Sequence, residues 1–189
     1  MPEDIVVPGN IDVVDLLLIQ HARIEDLFTL VAGSTGTDRQ EAFDDLVRLL
    51  AVHETAEEEV VHPLTRSLAD NGDALVDERL AEEQQAKQML LDLAKAGPDA
   101  DGFPDALLLL RTAVLTHARY EERYEFPQLR AKIPADRLHA AAQAVRAAEA
   151  VAPTRPHPSA QSTTANVVLG PPLAVFDRAR DLIRDAARS

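Results

Sequence analysis

Cysteine is absent from this chain, which excludes disulfides, iron–sulfur clusters and thiolate zinc sites. Any metal held here must be held by histidine and carboxylate. Basic residues are scarce: 19 Lys and Arg face 32 Asp and Glu, for a formal net charge of -13. That balance argues against DNA, RNA or an anionic membrane as partner, since each calls for a basic face. No apolar run approaches the roughly 20 residues of a membrane span. The amino terminus carries acidic residues where a signal peptide needs basic ones and lacks a small-residue cleavage site, so the expected location is the cytoplasm. Aromatics are only 4% of residues, and Ala, Leu, Glu, Arg and Asp dominate, a helix-forming composition. The seven Gly and twelve Pro gather between apolar runs. An all-α fold follows, and 189 residues suffice for one domain with a core and an appendage.

Apolar periodicity and stop signals predict four main helices. The first runs from about Ile11 to Ala32, with Asn10 as its cap. The second starts after Thr37, where Thr37 and Gln40 have capping-box spacing, and runs to about Asp70 with a kink at Pro63. The third spans Ala74 to Ala96, and the fourth runs from Pro104 to before Pro134. A fifth, Ala-rich helix over 135–150 is expected to pack weakly. Residues 151–171 read as a Pro/Ser/Thr linker and 172–189 as an amphipathic helix.

Each of the four main helices interrupts its apolar stripe with a polar residue near mid-length. The stripes read Val14, Leu17, His21, Ile24, Phe28; Leu46, Leu50, His53, Glu57, Val60, Leu64; Val76, Leu80, Glu83, Ala86, Leu90; and Leu107, Leu110, Val114, His117, Glu121, Tyr124. Burying an unpaired carboxylate is expensive, so three Glu and three His facing one another need a reason, and two cations between them supply it. The second and fourth helices also repeat each other. His53-x-x-x-Glu57-Glu58 precedes Pro63 and His117-x-x-x-Glu121-Glu122 precedes Pro127, with the same His-to-Pro interval. A His and a Glu four apart share one helix face, so they can serve one ion or neighbouring ions through a bridging carboxylate. Glu54, Glu58 and Glu122, one residue off the stripe, suit solvated or supporting roles. Tyr124 reads as core packing, with a ligand role as its alternative. His62 lies half a turn round from His53 and is expected to face outward; His139 and His157 are expected to be exposed.

With these residues the chain resembles the hemerythrin-like, or HHE cation-binding, family: His21, His53-Glu54-x-x-Glu57-Glu58 with Pro63, and His117-x-x-x-Glu121-Glu122 with Pro127, over roughly residues 10–132. The resemblance implies an antiparallel up-down four-helix bundle around a carboxylate-bridged di-iron site. Here it would be followed by a C-terminal helical extension. The ligands would be His21, His53, Glu57, Glu83, His117 and Glu121, around two iron ions with an oxo or hydroxo bridge. Glu54, Glu58, Glu122 and Tyr124 stand as supporting or alternative ligands. Zinc is the runner-up metal but suits such a set less well, because it prefers four-coordinate N and S sites; six protein ligands with bridging oxygens better fit iron or manganese. The expected domains are a bundle over 1–133, the short helix over 134–150, the linker over 151–171 and the final helix over 172–189.

The chain departs from the family pattern at helix 3, where a His is usual and Glu83 stands. Three Glu neutralise three of the six charges of a diferric pair, so the ferric state gains, which favours turnover or sensing over reversible oxygen carriage. The reading is a protein that reacts with dioxygen, peroxide or nitric oxide, as a catalase-like or peroxidase-like enzyme, and forms a monomer or weak homodimer. An iron- or oxygen-sensing module and a metal-free structural bundle are the alternatives.

Overall fold

The computed structural model describes residues 11–68, 71–151 and 180–181, and every regular element among these is helical. Helix α1 (Val13–Gly33) is started by Asp12, whose carboxylate accepts from the Asp15 N–H at 2.8 Å while the Asp15 side chain accepts from the Asp12 N–H. This reciprocal cap satisfies donors that a helix start leaves orphaned. Asn10, the expected cap, lies outside the described residues. Helix α2 (Gly36–Ala56) starts just before Thr37. Its cap position, Thr35, makes no side-chain bond, and Gln40 reaches forward to Asp44 at 2.8 Å instead of closing a box with Thr37.

The second rod then leaves plain α-helical geometry. Glu57–Val61 forms a π-turn before α3 (His62–Leu68), and the fourth rod does the same, with α5 (Phe103–Tyr120), a π-turn at Glu121–Glu125, and α6 (Phe126–Lys132). The cause lies in Pro63 and Pro127. Proline lacks an N–H and its ring crowds the carbonyl four residues back, here that of Glu59 or Arg123. The turn before it widens, so that the His62 N–H bonds the Glu57 carbonyl and the Phe126 N–H bonds the Glu121 carbonyl. The bend expected at Pro63 is thus an inserted residue one turn earlier. One extra residue rotates all that follows by roughly 100°.

Helix α4 (Gly72–Ala96) follows α3 closely. A Cβ at Gly72 would lie 2.4 Å from the Thr65 carbonyl oxygen, so only glycine permits this approach. Gly97, at φ 83°, ends α4 with its N–H on the Leu93 carbonyl. Short connections make successive rods antiparallel, and α1 packs on α2 and α5 while α4 packs on α3 and α5, an all-α four-rod bundle.

Two apolar layers fill it. One holds Ile24, Phe28, Phe43, Leu46, Leu50, Leu90, Phe103 and Leu110; the other holds Val13, Leu17, Ala56, Val61, Phe126, Leu129 and Ile133. Each such side chain contributes about 1.5–3 kcal/mol on burial. Helix α7 (Ala135–Val151) belongs to the second layer through Leu138, Ala142 and Val145, all buried, so its docking on α1 is firmer than its Ala-rich composition suggests. Apart from Val151, Arg180 and Asp181, the linker and final helix expected over 151–189 lie outside the described residues. Among the described residues no helix is long and apolar enough to cross a membrane.

Candidate metal centre

Between the two apolar layers lies a layer of acids and imidazoles. His21 on α1 sits between Leu17 and Ile24 of opposite layers, and His53 on α2 and His117 on α5 occupy the corresponding level. Glu83 on α4 and Glu57 and Glu121, the first residues of the π-turns, complete it. All six are buried: Glu57 and Glu121 are 0% exposed and the least buried, His117, is 8% exposed.

These six residues form two overlapping groups. His21, His53, Glu57 and Glu121 bring one ligating atom each to within 4.8 Å of one another, as do Glu57, Glu83, His117 and Glu121. Glu57 and Glu121 belong to both. The repeated His-x-x-x-Glu spacing gives matched contacts, His53 Nε2 to Glu57 Oε1 at 3.2 Å and His117 Nε2 to Glu121 Oε1 at 3.3 Å. His21 Nε2 lies 3.1 Å from His53 Nε2 and 3.4 Å from Glu121 Oε2.

The outward nitrogens are all occupied. His21 Nδ1 donates to Glu122 Oε1 at 2.8 Å, His53 Nδ1 to Gln20 Oε1 at 3.0 Å, and His117 Nδ1 to Glu82 Oε2 at 3.0 Å. In a neutral ring, a proton held on Nδ1 leaves the lone pair on Nε2 for an ion, and all three Nε2 atoms face inward. Glu82 is itself gripped by the buried Arg79, whose Nη2 donates to Oε1 at 3.0 Å, with the Tyr120 ring 4.8 Å from the guanidinium carbon. Phe126 stacks on His21 at 5.7 Å between ring centroids.

Inside the layer, polar atoms are left over. Both oxygens of Glu57, both of Glu121, Glu83 Oε2 and His117 Nε2 are buried without a hydrogen-bond partner. Leaving one such group unsatisfied costs about 1–3 kcal/mol, more when it is charged. Six unsatisfied atoms of one kind, all electron-pair donors on histidine or carboxylate, fit hard or borderline cations between them. The donor set accepts a metal, and an uncharged core does not explain it.

The electrostatics carry the same strain. Burial, then repulsion from Glu121, pushes the Glu57 carboxyl up to about 8. Burial also opposes charge on Glu121, but His117 and His21 overcome it and hold its carboxyl well below the usual range. Burial works against His21 and His117 as cations, yet Glu121 and Glu57 raise both, while burial beside His21 lowers His53. Without cations the layer therefore shifts the proton affinities of its acids and imidazoles in opposite directions.

The flanking candidates separate. Glu54 is buried and lines the small cavity beside the six residues, its carboxyl raised well above normal by burial and then by Glu83. Glu122 holds His21. Glu58 turns away to Arg180, at 2.6 Å. Tyr124, read as core packing, is 48% exposed and lies against Tyr120, because the second π-turn rotates it out and brings Glu125 and Phe126 in. The first π-turn does likewise. Val61, His62 and Thr65 are buried where Val60 and Leu64 were expected to be.

His62, expected to face outward, is 2% exposed, with Nε2 2.7 Å from Glu83 Oε1. Burial opposes its charge, but Glu125 and Glu83 push it up to about 10. A half-turn count from His53 assumed an uninterrupted α-helix. The equal His-to-Pro intervals were the available signal that both rods break at the same place. Gln20 and Glu82 carried no such signal, since each only precedes a stripe residue.

Comparison with known proteins agrees with this geometry. The profile of the hemerythrin HHE cation-binding domain matches residues 12–129. A protein named DNA nickase, from Nostoc sp. (strain PCC 7120 / SAG 25.82 / UTEX 2576), is 30% identical over 142 residues, covering 74% of this chain and 40% of that protein. This chain thus corresponds to well under half the length of that relative. A crystal structure of a hemerythrin HHE cation-binding domain-containing protein from Mycobacterium kansasii superposes with a TM-score of 0.68 at 19% identity, covering 89% of this chain and 99% of that one. That likeness speaks for the fold alone.

Proposed function

Because this chain belongs to the hemerythrin HHE cation-binding domain family, we propose that its buried layer holds two iron ions and reacts with peroxide, dioxygen or nitric oxide. The observation that carries this reading is the inward convergence of three imidazole Nε2 atoms on two carboxylates shared by both groups. His21 and His53 would hold one ion and His117 and Glu83 the other, with Glu57 and Glu121 between them. When bound, the iron pair supplies the electrons for reducing an oxidant.

The chain's own residues do the rest. Glu122, Gln20 and Glu82 fix the three rings, which raises their basicity and removes the cost of orienting them. The cavity beside the layer has Ile24, Leu50, Ala86 and Val114 on its apolar wall and the histidines and glutamates of the layer on the other, a lining that suits a small molecule held against the ligand set. Glu54, at the cavity wall with its carboxyl raised well above the usual range by burial and then by Glu83, is placed to hand a proton to a molecule held there. The DNA nickase activity in the relative's name is not carried over. A phosphodiester backbone cannot enter a bundle interior, and a net charge of -13 repels it.

The test is metal analysis of iron-reconstituted protein followed by peroxide consumption. Two irons per chain and turnover are expected. One ion or none, or zinc preferred in competition, would defeat the reading.

A second reading, sensing, has one observation in its favour. Arg180 pairs with Glu58 at 2.6 Å and with Glu59 at 3.3 Å, immediately after Glu57 in the π-turn. Arg180 therefore touches the turn that carries a shared carboxylate. We take residues 152–189 as an appendage to the bundle. Their deletion is expected to leave two irons in place, because none of the six residues lies beyond Glu121. Under the sensing reading, iron loading of the full chain changes the protease sensitivity of residues 152–189, and an unchanged digestion pattern counts against it. A folded, truncated protein that holds no iron would overturn the boundary.

A further inference from the structure

The first π-turn brings into the bundle a chain of contacts that the iron reading does not use. His62 Nε2 donates to Glu83 Oε1 at 2.7 Å. On the other side of the ring, Nδ1 lies 3.8 Å from Glu125 Oε1, and that same oxygen accepts the Thr65 hydroxyl in a short hydrogen bond. Every member is buried: Thr65 0%, Glu125 1%, His62 2% and Glu83 4% exposed. The line therefore runs from α3 through the second π-turn to α4, with no solvent to compete for any bond in it.

Its inner end bears on one atom choice. Glu83 has two oxygens of equal intrinsic basicity. Oε1 is taken by His62, while Oε2 is buried without a partner. A carboxylate free at both oxygens can chelate one ion with both, filling two coordination positions. With Oε1 held by a strong donor, although still 3.7 Å from His117 Nε2, Oε2 keeps all its lone pairs and is the oxygen more available to an ion. We propose that His62 is a positioning residue that holds Glu83 to single-oxygen ligation and so keeps one coordination position open for a small ligand. This rests on the iron-pair reading above and adds a residue that the six-residue set omits. Either protonation state of His62 serves, since Nε2–H donates in both. Behind the ring, the Thr65 hydroxyl holds the Glu125 carboxylate, which lies 3.8 Å from Nδ1.

The two nitrogens of the ring can be tested separately. Gln places its amide near Nε2 and Asn places its amide near Nδ1, so His62→Gln retains a donor to Glu83 and His62→Asn retains a partner for Glu125 only. The full chain is loaded with ferrous iron, oxidised in air and titrated with azide, following metal content and the azide charge-transfer band. Wild type and His62→Gln are expected to hold two irons and bind azide within about threefold of each other. His62→Asn and His62→Leu are expected to hold two irons and bind azide at least tenfold more weakly, because Glu83 closes the position. Thermal melts show that each variant is folded, and His62→Asn decides the matter if His62→Leu is not.

Azide binding by His62→Asn equal to wild type overturns the inference while leaving the iron reading intact. Loss of one iron in both His62→Gln and His62→Asn also overturns it, because His62 is then a ligand itself. Wild-type protein that holds no iron pair overturns the iron reading, and this inference with it.

Discussion

Chelating the metal from loaded protein is expected to lower its melting temperature by roughly 10 °C or more, and to reverse the way its stability responds to acid. An ion bound a thousandfold more tightly than its free concentration adds about 4 kcal/mol to the folded state, and two ions act on one bundle. Stripped of them, the layer retains buried oxygens without hydrogen bonds on Glu57 and Glu121 and at Glu83 Oε2.

The pH dependence follows from the individual groups. Glu57 is pushed up to about 8, above its unfolded value, so its contribution to the metal-free fold is fully present below about 4.5 and is lost as pH rises toward 8. His21, His117 and His62 are raised as well, and each contributes below its unfolded value near 6.5 and loses that contribution as pH climbs. His53, lowered, and Glu121, lowered, act in the opposite sense, but the Glu121 transition lies below the window of pH 5–8. Over that window the metal-free protein is therefore expected to gain stability as pH falls. The loaded protein is expected to lose it, because protonated Glu and His cannot ligate. Melting curves from pH 5 to 8, with and without chelator, check this. Superimposable curves, or slopes of the same sign, would mean that the six residues do not share a metal.

The second large effect separates the two shared carboxylates. Glu57→Leu and Glu121→Leu are both expected to cost both iron ions, since each carboxylate belongs to both groups. Their effects on the metal-free protein should differ in sign. Glu57 is a carboxyl kept protonated by burial, with no hydrogen bond to either oxygen and its nearest ring nitrogen, His53 Nε2, at 3.2 Å, so a leucine of similar volume removes an unsatisfied group and fills the same space. A gain of about 1–3 kcal/mol is expected. Glu121 is the ionised partner of the His117 and His21 cations. Removing it leaves buried positive charge uncompensated, at a cost of about 3–5 kcal/mol. Urea unfolding of the two metal-free variants beside metal-free wild type decides it. Iron retained at one position in either variant would show that the carboxylates are not shared.

Much of this was legible in the sequence because it depends on local period. A residue three or four after an apolar one lies on the same face whatever surrounds it. His21, His53, Glu57, Glu83, His117 and Glu121 could therefore be placed inward on four helices before any packing was known. Absence of cysteine confined the ligands to nitrogen and oxygen for equally local reasons. The equal intervals from His53 to Pro63 and from His117 to Pro127 marked a repeated disturbance of the second and fourth rods, although not its kind.

Only the tertiary structure decided what the disturbance does. A proline can be accommodated by a kink or by a widened turn, and the choice depends on what the neighbouring rods offer to the residues rotated inward. Here Glu83 on α4 receives His62, and Thr65 receives Glu125, so widening both rods satisfies buried groups that a plain helix would have turned to water. That choice carried Tyr124 to the surface and His62 into the core, against the periodic count. The partners of the imidazole Nδ1 atoms were likewise beyond reach of the sequence. Glu122 reaches His21 across 101 residues and Glu82 reaches His117 across 35. Helical spacing says which face a side chain leaves from, but only the packing of the rods sets which atom on another rod it meets.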